Sequence, residues 1–385
     1  MEKDLIRSIH DELQNEEASP RFIIQFKSAA DYSQFLDHVT ELIPSLENLS
    51  YLQPLPAIHG FTCKLRNQDR LRDFAGKITV EEDKKVALVH ARPPKLSSHS
   101  SNKISVGDQL IPWGVRQIKA PAAWSRSAGL RVKIAVIDTG IDYLHPDLHR
   151  NVAGGINVVD RRALPRDDNG HGTHIAGTIA AYSSKKGIIG VAPLASLYAV
   201  KAFDHNGTAY ISDIVHGIDW CVRNRIDIIN MSFGMKTHSK ALEDAVRRAH
   251  DAGVIIVASS GNDGRSGRID YPARFPQTIA VGATNKNKKV AKFSNRGKRI
   301  DIYGPGEKIY SSWLNGKYNE LSGTSMATSH VSGVIALLFA QRGRMSARLV
   351  KDFLKASASP ITTIRKTTLS TGEVHALQTL KAGRS

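Results

Sequence analysis

Residues 132–142 read VKIAVIDTGID. The run Ile134–Ile137 is apolar without a break and stops on Asp138. A strand that is apolar on both faces is one covered on both faces, as in a parallel sheet flanked by helices. The pattern returns at SLYAVKAF (196–203), IDIINMSF (226–233), VIIVASS (254–260) and TIAVGAT (278–284). Between these runs lie helical patterns: HGTHIAGTIAA (171–181), ISDIVHGIDWCV (211–222) and HSKALEDAVRRAHDAG (238–253), with VSGVIALLFAQ (331–341) last. Alternation of this kind predicts an α/β fold whose ligands sit at the carboxyl ends of the strands, where VID and VASSGN end.

Upstream the pattern changes. Within 20–92, RFIIQF, IHGFTCKL and KVALVHA read as strands, and DYSQFLDHVTELI and DRLRDFAGKI as helices, with room for a strand near LENLSYLQPL. This predicts a small α+β, ferredoxin-like unit after an N-terminal extension, 1–19. Residues 91–107 hold two prolines and five serines with no apolar period, so 93–107 reads as a linker and 108–385 as the large domain. A chain of 385 residues has room for both.

Apolar content of 41% and charged content of 23% are those of a folded, soluble protein rather than a disordered one. No run is long enough to cross a membrane, and the first twenty residues lack a signal peptide's apolar core, which predicts a cytoplasmic protein as written, or a secreted one if the true N-terminus lies further upstream. Cys63 and Cys221 are far apart and read as buried small hydrophobes. The net charge of +17 is uneven: residues 1–107 carry −1 and the remainder +18. A basic half raises the question of a polyanion partner without answering it.

Three short motifs fall at strand ends or helix starts. Asp138 ends a buried strand, where an unpaired charge is costly. His171 opens a helix within DDNGHGTHIAG, and Ser325 opens another within SGTSMATS. A Ser/Thr cluster before an apolar run is by itself an ordinary helix cap. Taken together, Asp, His and Ser supply the orienting acid, base and nucleophile of acyl transfer. Asn262, on the turn that ends VIIVASSGNDG, can aim a side-chain N–H at an oxyanion, with the Ser325 backbone N–H as second donor. Two His in HGTH also raise zinc, but His171 and His174 are three apart with no Glu between them, which does not match the zinc-peptidase spacing.

The order Asp, His, Ser with DTGID, NGHGTHIAG, SSGN and GTSMA resembles the subtilases, the subtilisin-like serine peptidases. The resemblance spans roughly 108–380 and implies a monomeric endopeptidase acting on protein and peptide substrates, with no specific nucleic acid or membrane partner. It implies substrate pairing with Gly207, Thr208 and Ala209 on one side and Ser232, Phe233 and Gly234 on the other. The primary pocket would be walled by Ser260 and Gly261, with Asp263 at its rim and Asp270 at its base. Two carboxylates there would favour Lys or Arg before the scissile bond; the alternative is that Asp270 pairs with Arg268 or Arg274 at the surface.

The resemblance also implies structural calcium, held by Gln109, Asp147, the Ser184 side chain and the carbonyls of Tyr182, Lys186 and Ile188, all hard oxygen donors. A weaker cation site would use the carbonyls of Ala273, Phe275 and Thr278. Residues 20–92 would be a pro-domain that inhibits its own enzyme, with processing at Lys103–Ile104 or Gly107–Asp108 in the linker; a permanently attached accessory domain is the other reading. The rival function from another class is a catalytically silent subtilase fold whose basic domain binds polyanions.

Overall fold

The computed structural model describes residues 2–13, 19–42, 52–88, 110–182, 186–362 and 371–382. The strand Lys133–Asp138 lies inside a parallel sheet that has seven strands among the described residues. Their spatial order is Ile302–Pro305, Ile279–Thr284, Ile255–Ser259, Ile228–Met231, Lys133–Asp138, Ser196–Lys201 and Val152–Asn157. Alternate residues serve two cores. Ile134, Val136, Ile228, Val257 and Val281 join Ile175, Ile179 and Val331 on one side. Ala135, Ile137, Ile229, Ile256 and Ala280 join Ile214, Ile218 and Val246 on the other. Strands with two buried faces do not alternate with polar residues, which is why these sequences are largely apolar; the buried Asn230 among them is hydrogen-bonded. Each fully buried Ile or Val contributes about 1.5–3 kcal/mol relative to an exposed one.

One helix is enclosed. Thr324–Arg342 is buried continuously from Thr324 to Phe339 and packs beneath the strands Ile228–Met231, Ile255–Ser259, Ile279–Thr284 and Ile302–Pro305. Polar residues along it bond within the protein, as Ser329 Oγ does to the Ser325 carbonyl (3.0 Å) and His330 Nδ1 to that of Met326 (2.8 Å), which lets it lie in an interior.

The N-terminal unit has its own antiparallel sheet, ordered Gln53–Leu55, Gly60–Lys64, Arg21–Phe26, Ile78–Glu82. Three expectations change here. The supposed extension contains the helix Glu2–Glu12, whose Leu5, Ile6 and Ile9 enter the same core as Phe26, Phe35 and Phe61. The second helical segment is a 3-10 turn, Asp69–Phe74. The last strand, Lys85–Ala87, leaves its own sheet and pairs antiparallel with Thr208–Tyr210 of the large domain. The linker 93–107 and both candidate processing bonds lie outside the described residues.

Two acidic residues fasten the unit to the large domain. Glu81 accepts hydrogen bonds from Ser239 Oγ (2.8 Å), Lys240 N (2.9 Å) and Ala241 N (3.1 Å) at the start of the helix Lys240–Asp251. Asp83 accepts from Ser212 N (3.0 Å) and Oγ (2.6 Å) at the start of Ile211–Arg223, and its charge is matched by Arg21 Nε at 2.8 Å. Carboxylates at helix N-termini satisfy orphan N–H groups and complement the helix dipole. Cys63 and Cys221 are both buried and free, one in each unit, and burial pushes both thiols up.

Candidate active site

Asp138 is fully buried at the end of its strand. Its carboxylate accepts from Thr139 N (2.8 Å) and holds His171 Nδ1 at 2.7 and 2.9 Å. A carboxylate on Nδ1 requires the proton to be there, so Nε2 carries the basic lone pair. Burial disfavours the charged ring, but the charge and hydrogen bond of Asp138, with Asp167 behind it, outweigh that penalty. The His171 pKa therefore stands above its ordinary value.

His171 is the first residue of the helix His171–Ala180, after Gly170 at φ 107°. A Cβ on Gly170 would fall 2.4 Å from the Trp313 ring, so both the turn and the packing require glycine. Asp167 organises this turn: its carboxylate accepts from the backbone of Asn169, Gly170 and Thr173 (2.9 Å each) and from the hydroxyls of Thr173 (2.6 Å) and Thr139 (2.8 Å). Thr139 Oγ1 in turn accepts from Gly172 N at 3.0 Å. Asp138 and His171, 33 residues apart, are thus fixed through their neighbours as well as directly. His174 points elsewhere, its Nε2 donating to the Ile309 carbonyl at 2.9 Å, and burial lowers its pKa to about 3.

Ser325 lies in the first turn of the enclosed helix, and its hydroxyl donates to the Ser232 carbonyl at 2.8 Å. Nucleophilic attack requires that proton to go to His171 instead. Asn262 Oδ1 accepts from Thr324 N and Oγ1, both at 2.9 Å, which directs the amide nitrogen the other way. That nitrogen lies 3.3 Å from where a Cβ on Gly323 would stand, so glycine keeps the approach open. Buried polar side chains tie the helix of Ser325 to the end of the strand Ile228–Met231. Ser332 Oγ donates to Asn230 Oδ1 (2.9 Å), Asn230 Nδ2 to Ser232 Oγ (2.7 Å), and Ser232 Oγ to the Ser325 carbonyl (3.2 Å).

The expected substrate edge is occupied by the chain's own residues. Val86 pairs with Ala209 and Ala87 with Thr208, and Leu88 N donates to the Gly207 carbonyl at 2.8 Å. Ser232, Phe233 and Gly234 follow the strand Ile228–Met231. Asp270 is brought against Gly234 and Gly261: a Cβ on either would meet its Oδ2, at 3.0 and 2.3 Å. Neither Arg268 nor Arg274 forms an ion pair with Asp270; Arg274 instead donates to the Ile269 carbonyl and lies over the Tyr271 ring. Among the described residues the Asp270 carboxylate, 6% exposed, has no hydrogen bond or ion pair. Burial raises its pKa, reinforced by Asp263 and opposed by Lys236, Arg265 and Arg274. Asp263 is answered by Lys236 (3.3 Å) and Arg265 (3.5 Å). Asn295, which no motif had marked, braces this rim: its side chain binds Ser260 O (3.1 Å), Asp263 N (3.2 Å) and Arg265 N (3.0 Å).

Of the expected calcium ligands, Gln109 and Ser184 lie outside the described residues. Asp147 is fully buried; Oδ2 accepts from Ile188 N (3.0 Å) and Tyr318 OH (2.8 Å), and Oδ1 has no partner among the described residues. Burial raises its pKa against those bonds and the nearby His145 and His149. Gly187, at φ 107°, leaves Oδ1 room, since a Cβ there would stand 2.0 Å away. An orphaned carboxylate oxygen beside the carbonyl-bearing loop of Tyr182, Lys186 and Ile188 fits a hard cation. The weaker site does not fit one: Arg299 Nη2 donates to the carbonyls of Phe275 (2.5 Å) and Thr278 (3.4 Å), and the Thr278 hydroxyl bonds those of Ala273 (3.2 Å) and Phe275 (3.0 Å).

Comparison with known proteins agrees with this geometry. The model of the subtilase family matches residues 129–379. Subtilisin E of Bacillus subtilis (strain 168) is 46% identical over 256 residues, which cover 65% of this chain and 67% of the relative. Subtilisin of Bacillus pumilus is 45% identical over 256 residues, 65% of this chain and 92% of the relative. Subtilisin Savinase of Lederbergia lenta is 44% identical over 254 residues, 66% and 93%.

Proposed function

Since the chain belongs to the subtilase family and is a serine endopeptidase of it, we propose that its hydrolysis runs through Ser325, His171, Asp138 and Asn262. Ser325 Oγ attacks the scissile carbonyl carbon as its proton passes to His171 Nε2. The carbonyl π pair moves to oxygen, where the Asn262 amide and the Ser325 backbone N–H receive the negative charge. Collapse expels the amine, which takes the proton from His171 and leaves the acyl-enzyme. Water then repeats the sequence, freeing the acid and restoring Ser325. Asp138 holds the tautomer and stabilises the imidazolium. The observation that carries this reading is the His171 Nδ1 to Asp138 contact at 2.7 Å, which leaves Nε2 as the base.

Three finer readings belong with it. Lys or Arg before the scissile bond is favoured, because Asp270 is a buried carboxylate against Gly234 and Gly261 with no cation bound to it among the described residues. The N-terminal unit is an intramolecular inhibitor, because its segment 85–88 lies on the strand edge where substrate would add. Structural calcium is held by Asp147 with the carbonyls of Tyr182, Lys186 and Ile188. The ion would supply charge for the orphaned Oδ1 and stiffen the loop.

Phosphonyl fluoride labelling and N-terminal sequencing of wild type beside Ser325→Ala test the core of this proposal. Wild type should label at Ser325 and release its N-terminal unit, and the variant should do neither. Processing at the same bond in Ser325→Ala would sink it.

A further inference from the structure

The loop 270–278 carries Asp270 at one end, and at its other end main-chain carbonyls converge on side-chain cations. Arg299 spans three acceptors: Nη2 meets the carbonyls of Phe275 (2.5 Å) and Thr278 (3.4 Å), and Nη1 meets Asp301 Oδ2 (3.2 Å). Lys351 Nζ adds the Pro276 carbonyl (3.2 Å) and Asp301 (3.3 Å), and Lys355 Nζ holds Asp301 Oδ1 at 2.9 Å. Asp301 is buried and also accepts from Ala280 N at 3.0 Å. Three cations thus surround one carboxylate. Burial together with Arg299 and Lys355 lowers the Lys351 pKa against the pull of Asp301, as expected where positive charge is already in excess.

Carbonyl oxygens that point to a common place are the donor set of a hard metal ion. Here a guanidinium occupies that place. Its planar fork reaches two carbonyls and a carboxylate at once from one rigid, permanently charged group. A metal ion would have to displace Arg299 to reach the Phe275 and Thr278 carbonyls.

We infer that Arg299 is this chain's own resident cation for the carbonyls of Phe275 and Thr278, standing where a metal ion would otherwise bind and fixing the loop that bears Asp270. The loop's stability is therefore insensitive to monovalent cations, and removing the guanidinium uncovers a site that takes one. The inference holds whatever residue the pocket prefers.

The test is thermal unfolding of the full chain in the Ser325→Ala background, which prevents self-digestion, with and without Arg299→Ala. Each protein is measured in potassium chloride and in choline chloride of equal ionic strength, at one fixed, saturating calcium concentration. The parent should unfold at the same temperature in both salts. Arg299→Ala should lose about 3 °C or more in choline, the worth of two or three charge-assisted hydrogen bonds in a protein of this size, and recover at least half of it in potassium. Equal temperatures for Arg299→Ala in the two salts would overturn the inference, as would a potassium effect of that size in the parent. Arg299→Lys serves if the alanine variant does not fold. Its ammonium still fills the place, so it should lose stability and gain nothing from potassium; a gain there would equally overturn the idea.

Discussion

Asp138 and Asp270 are both buried carboxylates, and they differ in what answers the charge. Asp138 has a backbone N–H and the His171 imidazole within 2.9 Å. Asp270 has cations in its surroundings but none bound to it among the described residues, and its pKa is raised by burial. A satisfied carboxylate organises chemistry within the protein. An unsatisfied one has its interaction still to make, which is why we propose that a substrate's cation fills the pocket.

Removing the first carboxylate's charge should have the largest effect. Asp138→Asn should lower kcat about 10⁴-fold, since an amide can donate to Nδ1 and so favours the wrong tautomer. The base must be neutral and its pKa is raised, so the acid limb of the parent's activity should lie above the ordinary histidine value of about 6.5. In Asp138→Asn the residual activity should show that limb at lower pH. A loss below tenfold with an unmoved limb would make Asp138 a structural carboxylate like any other.

Asn262→Ala comes next, with kcat falling about 10²–10³-fold and KM little changed, a magnitude taken from a subtilisin. It removes a donor and leaves the Asp138–His171 pair alone, so the acid limb should stay in place. Asp270→Asn should be smaller and selective: kcat/KM for peptides with Arg or Lys before the scissile bond should fall about thirtyfold, roughly 2 kcal/mol, while Phe and Leu peptides lose nothing. An equal fall for all four would erase the contrast between the two carboxylates.

Asp147 extends the comparison to a third carboxylate, with one oxygen bonded and the other without a partner among the described residues. A ligand at about 100 times its Kd stabilises by about 2.7 kcal/mol, so calcium chelation should lower the unfolding temperature of the Ser325→Ala protein by a few degrees. In Asp147→Asn on the same background chelation should change nothing. A calcium response that survives this substitution would place the ion elsewhere.

How far such differences could be read from the sequence depends on the range over which they are encoded. Strands buried on both faces announce themselves locally, as Ile134–Ile137 does, and each reactive residue stands in a short motif at a strand end or helix start. The helix Glu2–Glu12 also had a local signal, since Leu5, Ile6, Ile9 and Leu13 share a face, but charged neighbours on every side masked it. The strand Lys85–Ala87 was legible as a strand; its partner was not, because alternation specifies a face and not a neighbour. Asp167, Asn230 and Asn295 are ordinary polar residues until folding assembles their hydrogen bonds. Arg299 is the extreme case: its carbonyl partners lie 24 and 21 positions away, and no side-chain pattern marks a carbonyl.

The enclosed helix Thr324–Arg342 bears on when this peptidase becomes dangerous to its surroundings. Ser325 follows all seven described strands of the sheet in the sequence, on an element packed beneath four of them. A growing or broken chain that lacks it lacks the proposed nucleophile, and one that carries it without the sheet has nowhere to hold it. Hydrolytic competence is therefore tied to closure of packing between segments far apart in the chain.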